Sequence, residues 1–220
     1  FGATNNNYTE FDKLDKHRVC GIKLFMGSST GNMLVDKMNS LLNIFNGTDM
    51  LIAAHCEDQE TIKKQYREIQ AKNIKGADDI PVSATQYPFR SGMFASSELA
   101  VRLAKIAGAR LHILHVSTAK ELQLFSDEPL ANKNITAEAC VAHLLFTLTH
   151  YNSLGARKSV ILPLNEKTDR EALRTAVNSG LIDVIATDTL PHLLNEKEGG
   201  ALKAMSGMPM IQFSLVSMLR

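Results

Sequence analysis

Five short runs of apolar residues recur along the chain, and segments with helical spacing separate them. The runs show almost no alternation of polar and apolar positions, which is typical of strands buried on both faces of a parallel sheet. We predict strands at residues 19–26, 50–56, 110–116, 159–164 and 183–187. This alternation indicates an α/β fold, either a barrel or a doubly wound sheet.

Helical periodicity fills the intervals between the strands. We predict helices at residues 33–45, 59–72, 96–107, 118–125, 138–149 and 168–179. Thr168 and Glu171 have the spacing of a capping box, while Gly108 and Gly180 are stop signals. Residues 76–90 contain two prolines and mixed charge, and we expect a long loop there at the mouth of the fold.

Composition excludes several functional classes. The 220 residues are 45% hydrophobic with a net charge of +1, which gives no electrostatic footprint for nucleic acid. The apolar runs are far shorter than a membrane span of about 20 residues, and the three cysteines lack CxxC spacing, so we expect a soluble cytoplasmic protein with reduced core cysteines. A nucleotide-binding sheet is also disfavoured, because "GSSTGN" at residues 27–32 lacks the lysine of a phosphate loop.

Polar side chains stand at the carboxyl ends of four predicted strands. Reading each strand to its end gives Lys23, then His55 in "LIAAHCED", His115 in "LHILHVST" and Asp188 in "DVIATDTLPH", with His192 four residues later. In a β/α barrel the catalytic groups project from these ends. Imidazole and carboxylate groups suit a divalent ion such as zinc.

Each of these residues alone has an ordinary structural explanation. A single histidine in an apolar strand is commonly a hydrogen-bonded core residue, and Asp188 could cap a helix. The joint pattern at four strand ends favours a site. We expect His112 to face the helix layer, away from His115, and Glu57 to begin the next helix, where negative charge suits the dipole.

Lys23 lies between Ile22 and Leu24, where a charged amine is costly. A desolvated lysine has a depressed pKa, and its neutral amine can capture carbon dioxide as a carbamate. The carbamate is a bidentate anion that can bridge two metal ions about 3.5–4 Å apart around a shared hydroxide. The alternative is a lysine that extends from the strand end to solvent.

The chain resembles the dihydroorotases, within the amidohydrolase superfamily of metal-dependent cyclic-amide hydrolases. The motifs that carry this resemblance span the chain in the family's order: "FGATNNN", "GIKLFMGSSTGNMLVD", "LIAAHCED", "LHILHVSTAKELQLF", "ITAEACVAHL", "DVIATDTLPH" and "SGMPMIQFSLVSML". The resemblance implies a (β/α)8 TIM-type barrel, here incomplete, with strands about three to eight in one domain over residues 1–220. It also implies reversible cyclisation of N-carbamoyl-L-aspartate to L-dihydroorotate, in pyrimidine biosynthesis.

The resemblance assigns roles to individual residues. It implies two divalent metal ions, with zinc as the expected metal, and N-carboxylated Lys23 as the bridging ligand. His55 and His115 would bind the second metal, and Asp188 would bind metal and shuttle the proton. His192 would hold the substrate carboxylate, and Leu162 in "LPLNEK" would contact substrate through its backbone.

The chain departs from the family pattern at several positions. Asp188-Thr189-Leu190-Pro191-His192 stands where many relatives have Asp-His-Ala-Pro-His, and Ala142-His143-Leu144 where many have His-His-Leu. The 220 residues contain no His-x-His, the motif that supplies two ligands of the more buried metal in the superfamily. We therefore expect a fragment that lacks the first strands, and activity only in the complete protein.

Two other functions remain open at this stage. A hydantoinase or allantoinase uses similar lysine, histidine and aspartate positions on a different cyclic amide. A non-catalytic dihydroorotase-like scaffold would instead support a partner enzyme such as aspartate carbamoyltransferase. We expect a small-molecule substrate and no nucleic-acid or membrane partner, with a homodimer as the default assembly.

Overall fold

The computed structural model describes residues 1–27, 31–72, 89–151, 164–198 and 204–219. Its centre is a sheet of five parallel strands whose spatial order is their order along the chain. The strands are β1 (Gly21–Phe25), β2 (Leu51–His55), β3 (Leu111–Ile113), β4 (Ile135–Cys140) and β5 (Val184–Ala186). Sequential parallel order places every strand's carboxyl end at the same edge, as the sequence predicts.

The fourth strand corrects the sequence prediction. β4 occupies Ile135–Cys140, where residues 138–149 were expected to form a helix. It pairs with β3 on one side and β5 on the other. Of the strand predicted at residues 159–164, all but the last residue lies outside the described residues, and Leu164 itself is not in a strand.

Helices connect and cover the strands. Their bounds are α1 (Met38–Asn46), α2 (Gln59–Lys72), α3 (Phe89–Ala107), α4 (Val141–Leu145), α5 (Lys167–Asn178) and α6 (Ile211–Met218). Three predictions need correction here. The capping box of α5 is formed by Glu166 and Asp169, and not by Thr168 and Glu171. α3 begins at Phe89, within the loop expected at residues 76–90; residues 76–88 of that loop lie outside the described residues. The helix expected at residues 118–125 is instead a short 3-10 helix, Glu121–Leu124.

The hydrophobic core lies between the sheet and its helices. Ile22 and Leu24 of β1 are fully buried, and they share one cluster with Ile44 of α1 and Leu103 of α3. Side chains alternate across a strand, so Lys23 points to the opposite face of the sheet. Burial of its two neighbours against the helices therefore fixes which way the lysine faces.

The first residues of the chain extend along the free side of β1. The backbone N–H of Lys23 donates to the Phe1 carbonyl, and the Ala3 N–H donates to the Lys23 carbonyl, which gives a parallel bridge between Gly2 and Lys23. Cys56 and Cys140 are buried as predicted, whereas Cys20 is exposed. Across the described ranges, every helix is too short or too polar to cross a membrane.

Candidate active site

Four residues form a row across the face of the sheet that carries Lys23. Lys23 pairs with Ala53 in β2, Ala53 with His112 in β3, and His112 with Thr136 in β4. Directly paired residues of parallel strands share a face. The expectation that His112 faces the helix layer is therefore wrong, and its ring lies on the same face as Lys23.

The structure brings His55 and His115 into direct contact. The Nδ1 atom of His55 lies 2.7 Å from the Nε2 atom of His115, and the ring centroids are 4.7 Å apart in an edge-to-face arrangement. Both residues are buried. Burial lowers the pKa of His115 well below its usual range, and the nearby His55, Lys23 and His143 add to the effect. His115 is therefore neutral, the form in which histidine binds metal.

His115 and Asp188 share an unusual backbone conformation. Their φ angles are 44° and 43°, and of the described residues other than glycine these two alone have positive φ. This left-handed conformation costs free energy for residues other than glycine, and residues that adopt it occur preferentially at functional sites. Each residue lies just past the end of its strand, where the turn redirects the side chain.

Lys23 is half-buried on the open face. Its ammonium group lies 4.4 Å from the centre of the Phe25 ring. Desolvation lowers the pKa of Lys23, while the negative charges of Asp188 and Glu138 oppose that shift. This direction favours carbamate formation, because a lowered pKa increases the fraction of neutral amine.

Asp188 lies within electrostatic range of the same groups. The residue is exposed, but the atoms around its carboxyl group desolvate it and raise its pKa. Glu138 also raises the pKa of Asp188, whereas His55 and Lys23 lower it. The four strand-end residues predicted from sequence therefore interact as one electrostatic group.

Glu138 is a site residue that sequence reasoning missed. Its Oε1 atom accepts the backbone N–H of His115 at 3.2 Å, and its Oε2 atom lies 3.1 Å from the Nε2 atom of His112. The Nδ1 atom of His112 lies 2.8 Å from the Thr136 hydroxyl. The assignment of Glu138 to a helix hid this role, since a strand at Ile135–Cys140 directs it to the inner face.

Glu57, like His112 and Glu138, lies elsewhere than predicted. It does not lie in α2, which begins at Gln59. Its side chain is 1% exposed, and its Oε2 atom lies 3.4 Å from the Nε2 atom of His55. Glu57 also lines a cavity of about 480 Å³, together with Met26, Val35 and Ser96. The signal in the sequence was its position two residues after a strand-end histidine.

The two residues predicted to bind substrate have different outcomes. His192 faces its own loop: its Nε2 atom lies 3.1 Å from the Ser206 carbonyl, and its Nδ1 atom lies 3.6 Å from Glu196. Leu162 lies outside the described residues. The substrate-binding roles of both residues remain predictions.

The donor set suits a divalent metal, although the side chains are not assembled around one point. Two imidazole nitrogens converge, and the Nε2 atom of His55 is buried without a hydrogen-bond partner. Within the part of the chain that the structure describes, no three His, Cys, Asp or Glu side chains are grouped closely enough to hold a metal. Two imidazoles on one tetrahedral zinc lie roughly 3.3 Å apart, so the two rings would have to part slightly.

Comparison with known proteins shows the family to which the chain belongs. No protein-family model matches the chain. The dihydroorotase of Staphylococcus epidermidis is 30% identical over 200 residues, which cover 91% of this chain and 45% of the relative. The dihydroorotase of Halalkalibacterium halodurans is 31% identical over 185 residues, which cover 83% of this chain and 40% of the relative. The chain belongs to the cyclic amidohydrolases.

The fold of this cyclic amidohydrolase chain has close parallels among solved structures. The L-hydantoinase (dihydropyrimidinase) from Arthrobacter aurescens matches with a TM-score of 0.86 at 24% identity, covering 98% of this chain and 49% of that one. The predicted incomplete (β/α)8 barrel is thereby confirmed. The chain spans less than half the length of the curated relatives that it matches.

Proposed function

We propose that the protein containing this chain is a metal-dependent dihydroorotase, which interconverts N-carbamoyl-L-aspartate and L-dihydroorotate. The observation that carries the proposal is the contact between His55 and His115, with Lys23 and Asp188 in electrostatic range. The names of the curated relatives support this substrate. We further propose that residues 1–220 belong to one barrel domain.

The proposed mechanism assigns a task to each strand-end residue. A divalent metal, when bound, lowers the pKa of water and polarises a carbonyl oxygen. His55 and His115 would hold it through the nitrogens that now face one another, and carboxylated Lys23 would supply an anionic ligand. Asp188 would accept a proton from the attacking water and pass it to the ring nitrogen that leaves.

The raised pKa of Asp188 is consistent with this role. A carboxyl group exchanges protons more readily near neutral pH when its pKa rises towards that range. Desolvation supplies the upward shift here. His192 and the backbone of Leu162 remain proposed contacts to the substrate.

A second candidate is a hydantoinase or dihydropyrimidinase. The solved structures that match include proteins with those names, and they cover nearly all of this chain. The metal ligands proposed above serve either substrate class. The choice depends on the residues that recognise the groups around the amide.

A substrate panel on the longer protein that contains this chain separates the candidates. Purified protein is loaded with zinc and assayed with dihydroorotate, hydantoin and dihydrouracil. The proposal predicts turnover of dihydroorotate well above the other two. Preference for hydantoin or dihydrouracil would favour the second candidate, and absence of turnover on all three would leave the scaffold alternative.

Two variants make the assay specific to the site. Asp188→Asn keeps the size of the side chain and removes the base, so the dihydroorotase activity should be lost. Asp127→Asn changes an exposed carboxylate outside the sheet and should retain wild-type activity. Equal activity in the two variants would contradict the assignment of Asp188.

A further inference from the structure

A buried contact joins Glu57 to the side of the His55 ring that faces away from His115. Their side chains are 1% and 6% exposed, and the Glu57 Oε2 atom lies 3.4 Å from the His55 Nε2 atom. That nitrogen has no hydrogen-bond partner in the described structure. The opposite nitrogen of the ring, Nδ1, faces His115 at 2.7 Å.

The two contacts together determine where the proton of His55 lies. A neutral imidazole carries one proton, on either Nδ1 or Nε2. With the proton on Nδ1, the bare lone pair of Nε2 would face a carboxylate oxygen in a buried environment, which is unfavourable. With the proton on Nε2, it faces Glu57, and Nδ1 accepts a hydrogen bond from the His115 Nε2–H.

We infer that Glu57 is a positioning residue, which keeps the proton of His55 on Nε2 and leaves the Nδ1 lone pair available for a metal. The inference rests on the proposed function for the identity of the ligand, but the proton position is a property of the protein alone. Carboxylates commonly fix the tautomer of metal-binding histidines in this way. The sequence pattern alone does not indicate that Glu57 positions the proton of His55.

Backbone hydrogen bonds fix the chain on both sides of Glu57. The N–H of Met26 donates to the His55 carbonyl at 2.9 Å, and the N–H of Asp58 donates to the Gly92 carbonyl at 3.1 Å. A Cβ atom on Gly27 would clash with the Cβ atom of Glu57. Glycine is therefore required at position 27 for the backbone there to pack against Glu57.

Nitrogen NMR of the metal-free longer protein tests the inference directly. The protein is labelled with ¹⁵N-histidine, and the His55 signals are assigned by their loss in His55→Asn. The chemical shifts show which ring nitrogen carries the proton. We expect a protonated Nε2 and an unprotonated Nδ1 in the wild type; a protonated Nδ1 would overturn the inference.

Three variants extend the test to metal binding, measured as zinc affinity by competition with a chelating dye. Glu57→Leu removes the acceptor, so the Nε2–H form should lose its dominance and zinc affinity should fall about 10–100-fold. Glu57→Gln retains a carbonyl acceptor, so it should keep part of the preference for the Nε2–H form and part of the zinc affinity. Glu60→Leu changes a carboxylate that is 88% exposed and should match the wild type.

The outcomes separate this inference from the proposed function. An unchanged tautomer and zinc affinity in Glu57→Leu would refute the positioning role, whatever the enzyme's substrate. If Glu57→Leu does not fold, the wild-type tautomer and the Glu57→Gln variant still decide the question. A correct tautomer in a protein without dihydroorotase activity would uphold the inference and refute the function.

Discussion

The carboxylate of Glu138 accepts the backbone N–H of His115 at 3.2 Å, just where the chain leaves β3. Its other oxygen lies 3.1 Å from the ring of His112. One side chain of β4 thus fixes the turn that carries a proposed metal ligand. The strained φ of 44° at His115 is held in part by this contact.

Removal of the Glu138 carboxylate should destabilise the protein. Glu138→Ala leaves the His115 N–H and the His112 ring without their acceptor, and each buried orphan costs about 1–3 kcal/mol. Urea denaturation of the longer protein measures the free energy of unfolding. Glu128→Ala, at an exposed position, should change it by no more than about 0.5 kcal/mol, and an equally small effect of Glu138→Ala would contradict the role.

Small carboxylic acids added to the solution should partly restore the activity that is lost with Lys23. Lys23→Ala removes the side chain that we propose to be carboxylated, so dihydroorotase activity should be lost. Added acetate or propionate can supply a carboxylate in the space left by the lysine, and part of the activity should return.

The control for this rescue is Lys13→Ala, which removes a lysine whose side chain is 71% exposed. Its activity should equal that of the wild type and should not respond to the added acids. A Lys23→Ala variant that keeps full activity would show that Lys23 is an ordinary strand-end lysine.

Either histidine of the contacting pair should be necessary for metal binding. His55→Ala and His115→Ala each remove a proposed ligand, so zinc affinity should fall by more than the roughly 10–100-fold typical of losing a supporting hydrogen bond. Competition with a chelating dye measures this affinity. His17→Ala changes an exposed histidine and should bind zinc as the wild type does; a similar affinity in all four proteins would rule out this ligand pair.

Glu121 should make stability depend on pH in a defined direction. Its buried carboxyl group accepts hydrogen bonds from the hydroxyls of Ser97 and Thr118, yet desolvation raises its pKa. The folded state therefore holds the proton more tightly than the unfolded state. The stabilisation is fully present below the unfolded pKa of about 4.3 and is lost as the pH rises through the higher folded value.

Urea denaturation at a series of pH values tests this sign. Glu121→Gln does not titrate, so the difference in unfolding free energy, wild type minus variant, should decrease from about pH 4.3 upwards and then level off. A difference that increases over the same interval would mean that the folded state lowers the pKa of Glu121.

The strand ends were predictable from sequence because burial leaves a strong local signal. Lys23 interrupts an apolar run and His55 ends one, and parallel order places the carboxyl ends of both strands at one edge of the sheet. His55 is the last residue of β2, whereas Lys23 is the third of the five residues of β1. The apolar runs that predict the other strands have no counterpart in β4. Its sequence "ITAEAC" contains residues that favour helices, and pairing with β3 and β5 overrides that propensity.

His112 and Glu57 show why side-chain direction was harder to predict. β3 ends at Ile113, and the positive φ of His115 breaks the alternation, so the spacing between the two histidines gave the wrong face for His112. The position of Glu57 depends on contact with Gly27 from another strand's loop. Such long-range packing has no signature in a single sequence.

The central claim is that His55 and His115 bind one metal through the nitrogens that face each other. A crystal structure of the longer protein with zinc, with diffraction data collected at the zinc absorption edge, tests it most directly. We predict an anomalous peak about 2.0–2.1 Å from the His55 Nδ1 and His115 Nε2 atoms. A zinc-loaded, active crystal whose anomalous peaks all lie away from these two nitrogens would contradict the account.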